Sequence, residues 1–122
     1  MFRSLVVVIV SAAVMTAAFL AAPTGAAAEM SAAEAARVER FLEDLSAQSA
    51  LVFIRNGREY DVERAVNHLR RKLRGAKDKI TTAEEFVDQV ASGSSASGKP
   101  YLIRKPGGDN EPAQPFFREL LQ

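Results

Sequence analysis

Leu5 to Ala22 form an apolar run interrupted only by Ser11 and Thr16, with a single charge, Arg3, ahead of it. A segment with no polar face cannot share a water-soluble domain with the rest of the chain, so it is inserted in a membrane or removed. Pro23-Thr24-Gly25 leads into Ala26-Ala27-Ala28, a small-residue A-x-A site, and the whole reads as a secretory signal peptide over residues 1–28, cleaved after Ala28. The alternative is an uncleaved anchor, because the run approaches the ~20 residues that span a bilayer. The Pro/Gly break and the small residues favour cleavage, so the expected location is periplasmic or secreted, with no transmembrane segment left afterwards.

Without those residues, 94 remain, of which 37 are hydrophobic, and 15 Lys+Arg balance 15 Asp+Glu. That suffices for one modest core and not for two, so residues 29–122 are read as a single mature domain. The chain has no cysteine. Export permits disulfides, but this fold relies on burial alone, and thiol nucleophiles, Cys-based metal sites and a lipid-anchored cysteine are all excluded.

Ser31 followed by Glu34 is a capping box, and Val38, Phe41, Leu42 and Leu45 trace one buried helical stripe. Leu51 to Ile54 reads as a strand that turns at Asn56-Gly57 and returns through Arg58 to Tyr60. Asp61 caps a second helix with Val62, Val66, Leu69 and Leu73 on its inner face, ending near Gly75. Thr81 with Glu84 announces a third helix, whose buried side is Ala83, Phe86, Val87 and Val90. Ser92 to Lys99 is a Gly/Ser-rich loop, and Tyr101-Leu102-Ile103 is a later strand pairing with the hairpin. Residues 105–115 hold three prolines and two glycines and are expected to be irregular. Phe116, Phe117, Leu120 and Leu121 form a terminal helix. The predicted fold is α+β, helices on a short antiparallel sheet, in the order α-β-β-α-α-β-α.

Gly93 to Lys99 matches the first seven positions of a phosphate-cradling P-loop, but the eighth is Pro100 where a magnesium-binding hydroxyl belongs, and the loop runs from helix to strand. It is read as a connector, or as a loop whose amides and Lys99 bind an anion. His68 is the only histidine, so paired-imidazole metal sites are excluded. Its plainer reading is a half-buried, hydrogen-bonded structural residue. Serine catalysis has no partner set, since a Ser-x-x-Lys arrangement ending at Lys99 needs serine at Ala96. No metal or cofactor is expected. Arg70, Arg71, Lys72, Arg74, Lys77 and Lys79 place six cations within ten residues, opposed only by Asp78. They serve as a solvated helix end complementing the dipole, or as a basic patch for an acidic partner. Nucleic acid is excluded by export and by the lack of an aromatic platform among the cations.

Phe53-Ile54-Arg55-Asn56-Gly57 with Tyr60, then Ala65, His68-Leu69-Arg70 and Lys72, then Ser94-Ser95-Ala96-Ser97-Gly98-Lys99-Pro100-Tyr101 together resemble the YfeK-like family of small exported bacterial proteins, a domain of unknown function of the DUF5329 type. The resemblance covers Val38 to Ile103 and implies a bacterial periplasmic protein, with no activity or catalytic residue to carry over. Some relatives have a cysteine just before the first strand, where this chain has Ser49-Ala50, which argues against an essential disulfide or thiol.

If the Tyr101 strand docks beside the hairpin, Arg55, Tyr60, Lys99 and Tyr101 approach one another, with Ser97 and Gly98 alongside and His68 at the border. Guanidinium, ammonium, phenol and amide groups together suit an anion; the plainer account gives the turn to Asn56-Gly57 and the sheet face to the tyrosines. The expected function is a non-enzymatic binding or interaction module for an acidic partner, an anionic envelope component or a protein. The alternatives are a small hydrolase or transferase using the Ser94–Lys99 loop, and a structural envelope protein associating through Phe116, Phe117, Leu120 and Leu121. Terminal sequencing of the exported product is expected to begin at Glu29; a product that begins at Met1 sinks the signal-peptide reading.

Overall fold

A computed structural model describes residues 29–122, so the expected signal peptide and its cleavage site lie outside the described residues. Helix α1 (Ala32–Ser46) is followed by strands β1 (Val52–Arg55) and β2 (Arg58–Asp61), helix α2 (Val62–Ala76), helix α3 (Ala83–Glu85) continuing into a π-helical stretch (Phe86–Ala91), strands β3 (Leu102–Arg104) and β4 (Asn110–Pro112), and helix α4 (Ala113–Leu121). The four strands form one antiparallel sheet in the order β2-β1-β3-β4. The α+β class stands, with one more strand than the sequence suggested. Among the described residues no helix is long and apolar enough to cross a membrane.

The β1–β2 turn needs two residues of positive φ, and Asn56 (50°) and Gly57 (78°) supply them. Their register pairs Phe53 with Tyr60 and Arg55 with Arg58, and on the other side β3 pairs Phe53 with Ile103. Cross-strand partners share a face, so Leu51, Phe53 and Ile103 turn toward the helices, whose buried stripes include Phe41, Leu42, Leu69, Phe86 and Val87. Phe117 joins from α4, its ring 5.3 Å from Phe41 and 6.4 Å from Phe53. On the opposite face Arg104 reaches across β1 to Glu59 at 2.7 Å.

The segment 105–115 is irregular only over its first five residues; β4 and the start of α4 occupy the rest. Pro106 and Gly107 (φ 72°) form a turn closed by the Gly108 amide on the Lys105 carbonyl at 2.9 Å. Pro112 ends an edge strand, where a missing N–H is harmless, and Pro115 sits in the first turn of α4, whose amides have no intrahelical partner. Phe117 is fully buried, while Phe116, Leu120 and Leu121 are half-buried against the core and keep part of their apolar surface exposed.

Two caps differ from expectation. Ser31 Oγ accepts the Glu34 amide at 3.2 Å, but the Glu34 carboxylate, instead of returning to the cap amide, takes the Ala83 amide of α3 at 3.1 Å, with Arg37 bridging Glu34 and Glu84. The third helix is capped one residue later than its sequence pattern suggested: Thr82 Oγ1 accepts the Glu85 amide, and Glu85 reaches back to the Thr81 amide. Glu34 therefore caps a helix 49 residues away. Glu34→Ala is expected to lower the unfolding free energy by about 1–2 kcal/mol in urea titrations, and Glu34→Gln, which keeps an acceptor, by roughly half that; equal losses for the two would detach the Ala83 cap from stability.

Candidate functional site

By alternation Arg55 is the last inward position of β1, just beyond the buried Phe53, and Tyr101 lies beside it at the entry to β3. Tyr101 is 1% exposed, its ring 4.9 Å from that of Phe53. Burial of a phenol demands partners for its hydroxyl, and α2 provides them. Lys72 Nζ donates to the Tyr101 oxygen at 3.0 Å and also to the Gly93 carbonyl, while His68 Nε2 lies 3.0 Å from the same hydroxyl. Arg55 Nη1 stands 3.2 Å from both His68 ring nitrogens, and Nη2 donates to the Tyr60 hydroxyl at 3.4 Å, with the guanidinium carbon 5.3 Å from the Tyr60 ring centre. Equidistance from the two nitrogens puts the guanidinium over the imidazole face, and a cation that close favours the neutral ring.

Above this network opens a cleft of about 300 Å³ walled by Arg55, Tyr60, Arg64, Asn67, His68 and Arg71, with Ala65 at its base. No carboxylate lines it. Among the described residues, Arg37, Arg70, Arg104 and Arg118 are in ion pairs, whereas the three cleft arginines, like Arg40, Arg58 and Arg74 outside it, are not. The charge imbalance registers on the groups nearby. Burial, then Arg55, Lys72 and Arg71, lower the His68 pKa to about 4. Burial and then Arg55 lower that of Lys72, and the hydrogen bond from Arg55, joined by Arg58, lowers that of Tyr60. Burial raises Tyr101, with Arg55 acting against it.

The family described as "Family of unknown function (DUF5329)" matches residues 32–122, from the first residue of α1 to the C-terminus. The chain belongs to that family. It is similar to the protein named "Uncharacterized protein YfeK" of Salmonella typhimurium, with 47% identity over 74 residues, which cover 61% of this chain and 62% of that protein. No solved structure matches. Neither DUF5329 nor the YfeK relative brings an activity with it, so what the cleft does has to come from its own chemistry.

Of the residues expected to cluster, the fold joins Arg55, Tyr60, His68 and Tyr101. Ser97, Gly98 and Lys99 do not line the cleft. Their loop is tied to the hairpin turn instead: Ser97 Oγ donates to Asn56 Oδ1 at 2.6 Å, and Asn56 Nδ2 donates to Ser94 Oγ at 3.3 Å. The amides of Ser94, Ser97, Gly98 and Lys99 are bonded within the loop, which makes it a clasp rather than a slack connector. Nor does a loop serine meet His68, whose side-chain partners are Arg55 and Tyr101.

The six cations of α2 and its extension disperse. Arg70 pairs with Glu39 at 2.7 Å, Lys72 points inward, Arg71 faces the cleft, Arg74 and Lys77 line a groove against α1 that also holds Glu29, Glu39 and Asp78, and Lys79 lines another beside Ile80 and Ser95. Arg64 and Asn67 stand outside any charge run in the sequence. The available signal was helical spacing: Arg64, Asn67, His68 and Arg71 stand at i, i+3, i+4 and i+7, a polar stripe beside the apolar one.

Because the folded His68 pKa lies below its ordinary 6.5, the unfolded chain binds the extra proton between pH 6.5 and 4. Stability from the neutral ring is therefore fully present above pH 6.5 and is lost as pH falls toward 4. Screening at the partly exposed ring reduces this contribution to about 1–2 kcal/mol. Denaturant titrations are expected to show that loss between the two pH values and a flatter profile for His68→Gln; parallel profiles for the two proteins sink the assignment.

Proposed function

We propose that this is an exported, non-enzymatic module that binds an acidic group of an envelope component at the cleft between α2 and the β1–β2 hairpin. The observation that carries the reading is the convergence of Arg55, Arg64 and Arg71 on one concavity without a counter-ion. Like charges held together raise the free energy of the empty site, and an anion relieves that repulsion on binding. A neutral histidine suits this arrangement, since an imidazolium would add a further cation. The rigid support comes from Tyr101 and Lys72 beneath, so the donors are positioned before a ligand arrives.

The test uses dextran sulfate in place of an anionic envelope polymer, titrated into the protein at two salt concentrations. Binding is expected to weaken several-fold as salt rises from about 0.05 to 0.2 M. The double variant Arg64→Gln/Arg71→Gln, changed at exposed positions, is expected to lose about tenfold in affinity, close to 1.4 kcal/mol, whereas Lys99→Ala is expected to bind as the parent does. Binding indifferent to salt, or to the two arginines, would overturn the reading.

A further inference from the structure

The cleft's geometry narrows the kind of anion. We propose that it takes a phosphate monoester dianion, with Arg55, Arg64 and Arg71 as donors, an assignment that rests on the anion-binding reading above.

The first argument is directional. Arg55 enters from the end of β1, while Arg64 and Arg71 stand seven residues apart on α2, about 10 Å along its axis. A carboxylate accepts in its own plane through two oxygens, so donors that approach from outside that plane are matched less well. A terminal phosphoryl group has three oxygens set around phosphorus and accepts from several sides at once. The second argument is charge. Three fixed positive charges share the cleft with no carboxylate, and a doubly charged group offsets more of that excess than a carboxylate or a phosphodiester, each singly charged. The third is size. About 300 Å³ lies at the small end of ligand pockets, enough for the phosphoryl group and a short esterified alcohol, for which Ala65 and the Tyr60 ring offer an apolar wall.

The sole histidine gives a clean reporter, because His68 borders the cleft and feels the charge of Arg55, Arg71 and Lys72. The full chain is expressed, the protein purified after export, and its His68 ring resonances followed at pH 7.5 during titration with glycerol 3-phosphate, dimethyl phosphate or succinate. Glycerol 3-phosphate is expected to shift the His68 signals and raise its pKa, and to bind at least about tenfold more tightly than the diester or the dicarboxylate. The Arg64→Gln/Arg71→Gln variant, its fold checked by its amide spectrum, is expected to abolish the shift. Arg55→Lys keeps the charge but loses the fork, and is expected to weaken the monoester more than succinate.

Vesicles carrying phosphatidic acid, whose headgroup is a monoester, set against phosphatidylglycerol vesicles identify the source. Binding to the former with little response to glycerol 3-phosphate assigns the group to a lipid surface; binding to both assigns the phosphoryl group itself. Equal affinity for succinate or the diester, with phosphatidic acid no better than phosphatidylglycerol, overturns the proposal. If dextran sulfate still binds through Arg64 and Arg71 in that case, the anion-binding reading survives; if it does not, both fall.

Discussion

The pairing of β3 with β1 holds the site together. With Phe53 opposite Ile103, Tyr101 comes to the inner face next to Arg55, and its phenol is driven into the core against Phe53. A slip of one residue would turn Tyr101 and Ile103 to the outer face together, removing both the packing and the hydroxyl that α2 engages. The same register sends Arg104 to the outer face, where it pairs with Glu59 across β1. Inner apolar contacts and outer ion pair thus require the same alignment, and they differ in weight. Burial of Phe53, Ile103 and Tyr101 is worth several kcal/mol by apolar area, of order 2 for each large side chain, whereas a partly exposed ion pair contributes roughly 0–1. Packing sets the register and the ion pair follows it.

Once Tyr101 is buried, the cations above it become intelligible. Its hydroxyl needs a partner, Lys72 and His68 supply two, and the ammonium is thereby drawn out of solvent to lie 4.7 Å from the Tyr101 ring centre. Contact with the negative face of a π-system and hydrogen bonds to the phenol and the Gly93 carbonyl offset part of its desolvation. Arg55 then meets the other side of His68, and neutrality of the ring is what lets two cations stand against it. Carboxylates are not scarce in the chain; they lie elsewhere, at the α1–α3 junction and on the outer sheet face, where they neutralise Arg37 and Arg104. In the cleft three arginines share one concavity with no carboxylate in its lining.

How much of this could be read from sequence depended on the range of the interaction. The stripes of α1 and α2, the Asn56-Gly57 turn and the Asp61 cap are local, and their spacing was sufficient. That Arg55, Tyr60, His68 and Tyr101 meet follows from strand alternation once β3 is placed beside β1. Glu34 shows the limit: a glutamate three residues after a serine has the pattern of a capping box, but the Ala83 amide competes for it through tertiary packing, and nothing within its own helix reveals that. The prolines of 105–115 mask β4, because their number suggests a loop whereas an edge strand, a turn and a first helical turn each tolerate one. The polar stripe Arg64-Asn67-His68-Arg71 was legible in principle. The denser run from Arg70 to Lys79 is the stronger charge signal, yet its members disperse around α2 at about 100° per residue and into the turn beyond it.

The Gly/Ser loop shows how building and binding are divided. Its serines and amides resemble ligand-binding groups in composition, but the fold uses them to fasten Asn56 and to deliver Tyr101, whose own amide bonds to the Ser92 carbonyl at 2.8 Å. Ser94 is buried and held from two sides, and the positive φ of Gly98, 72°, lets the loop fold back on itself before the strand begins. The three stretches that carry the family resemblance, around Asn56, His68 and Ser94 to Tyr101, therefore meet at one junction. Asn56 holds the loop, the loop places Tyr101, and Tyr101 with Lys72 fixes His68, against which Arg55 is oriented. Arg64 and Arg71 stand outside that chain of contacts. Changing them alters the charge presented to a ligand while leaving the junction beneath intact, so the cleft's affinity and the domain's stability are separable by mutation.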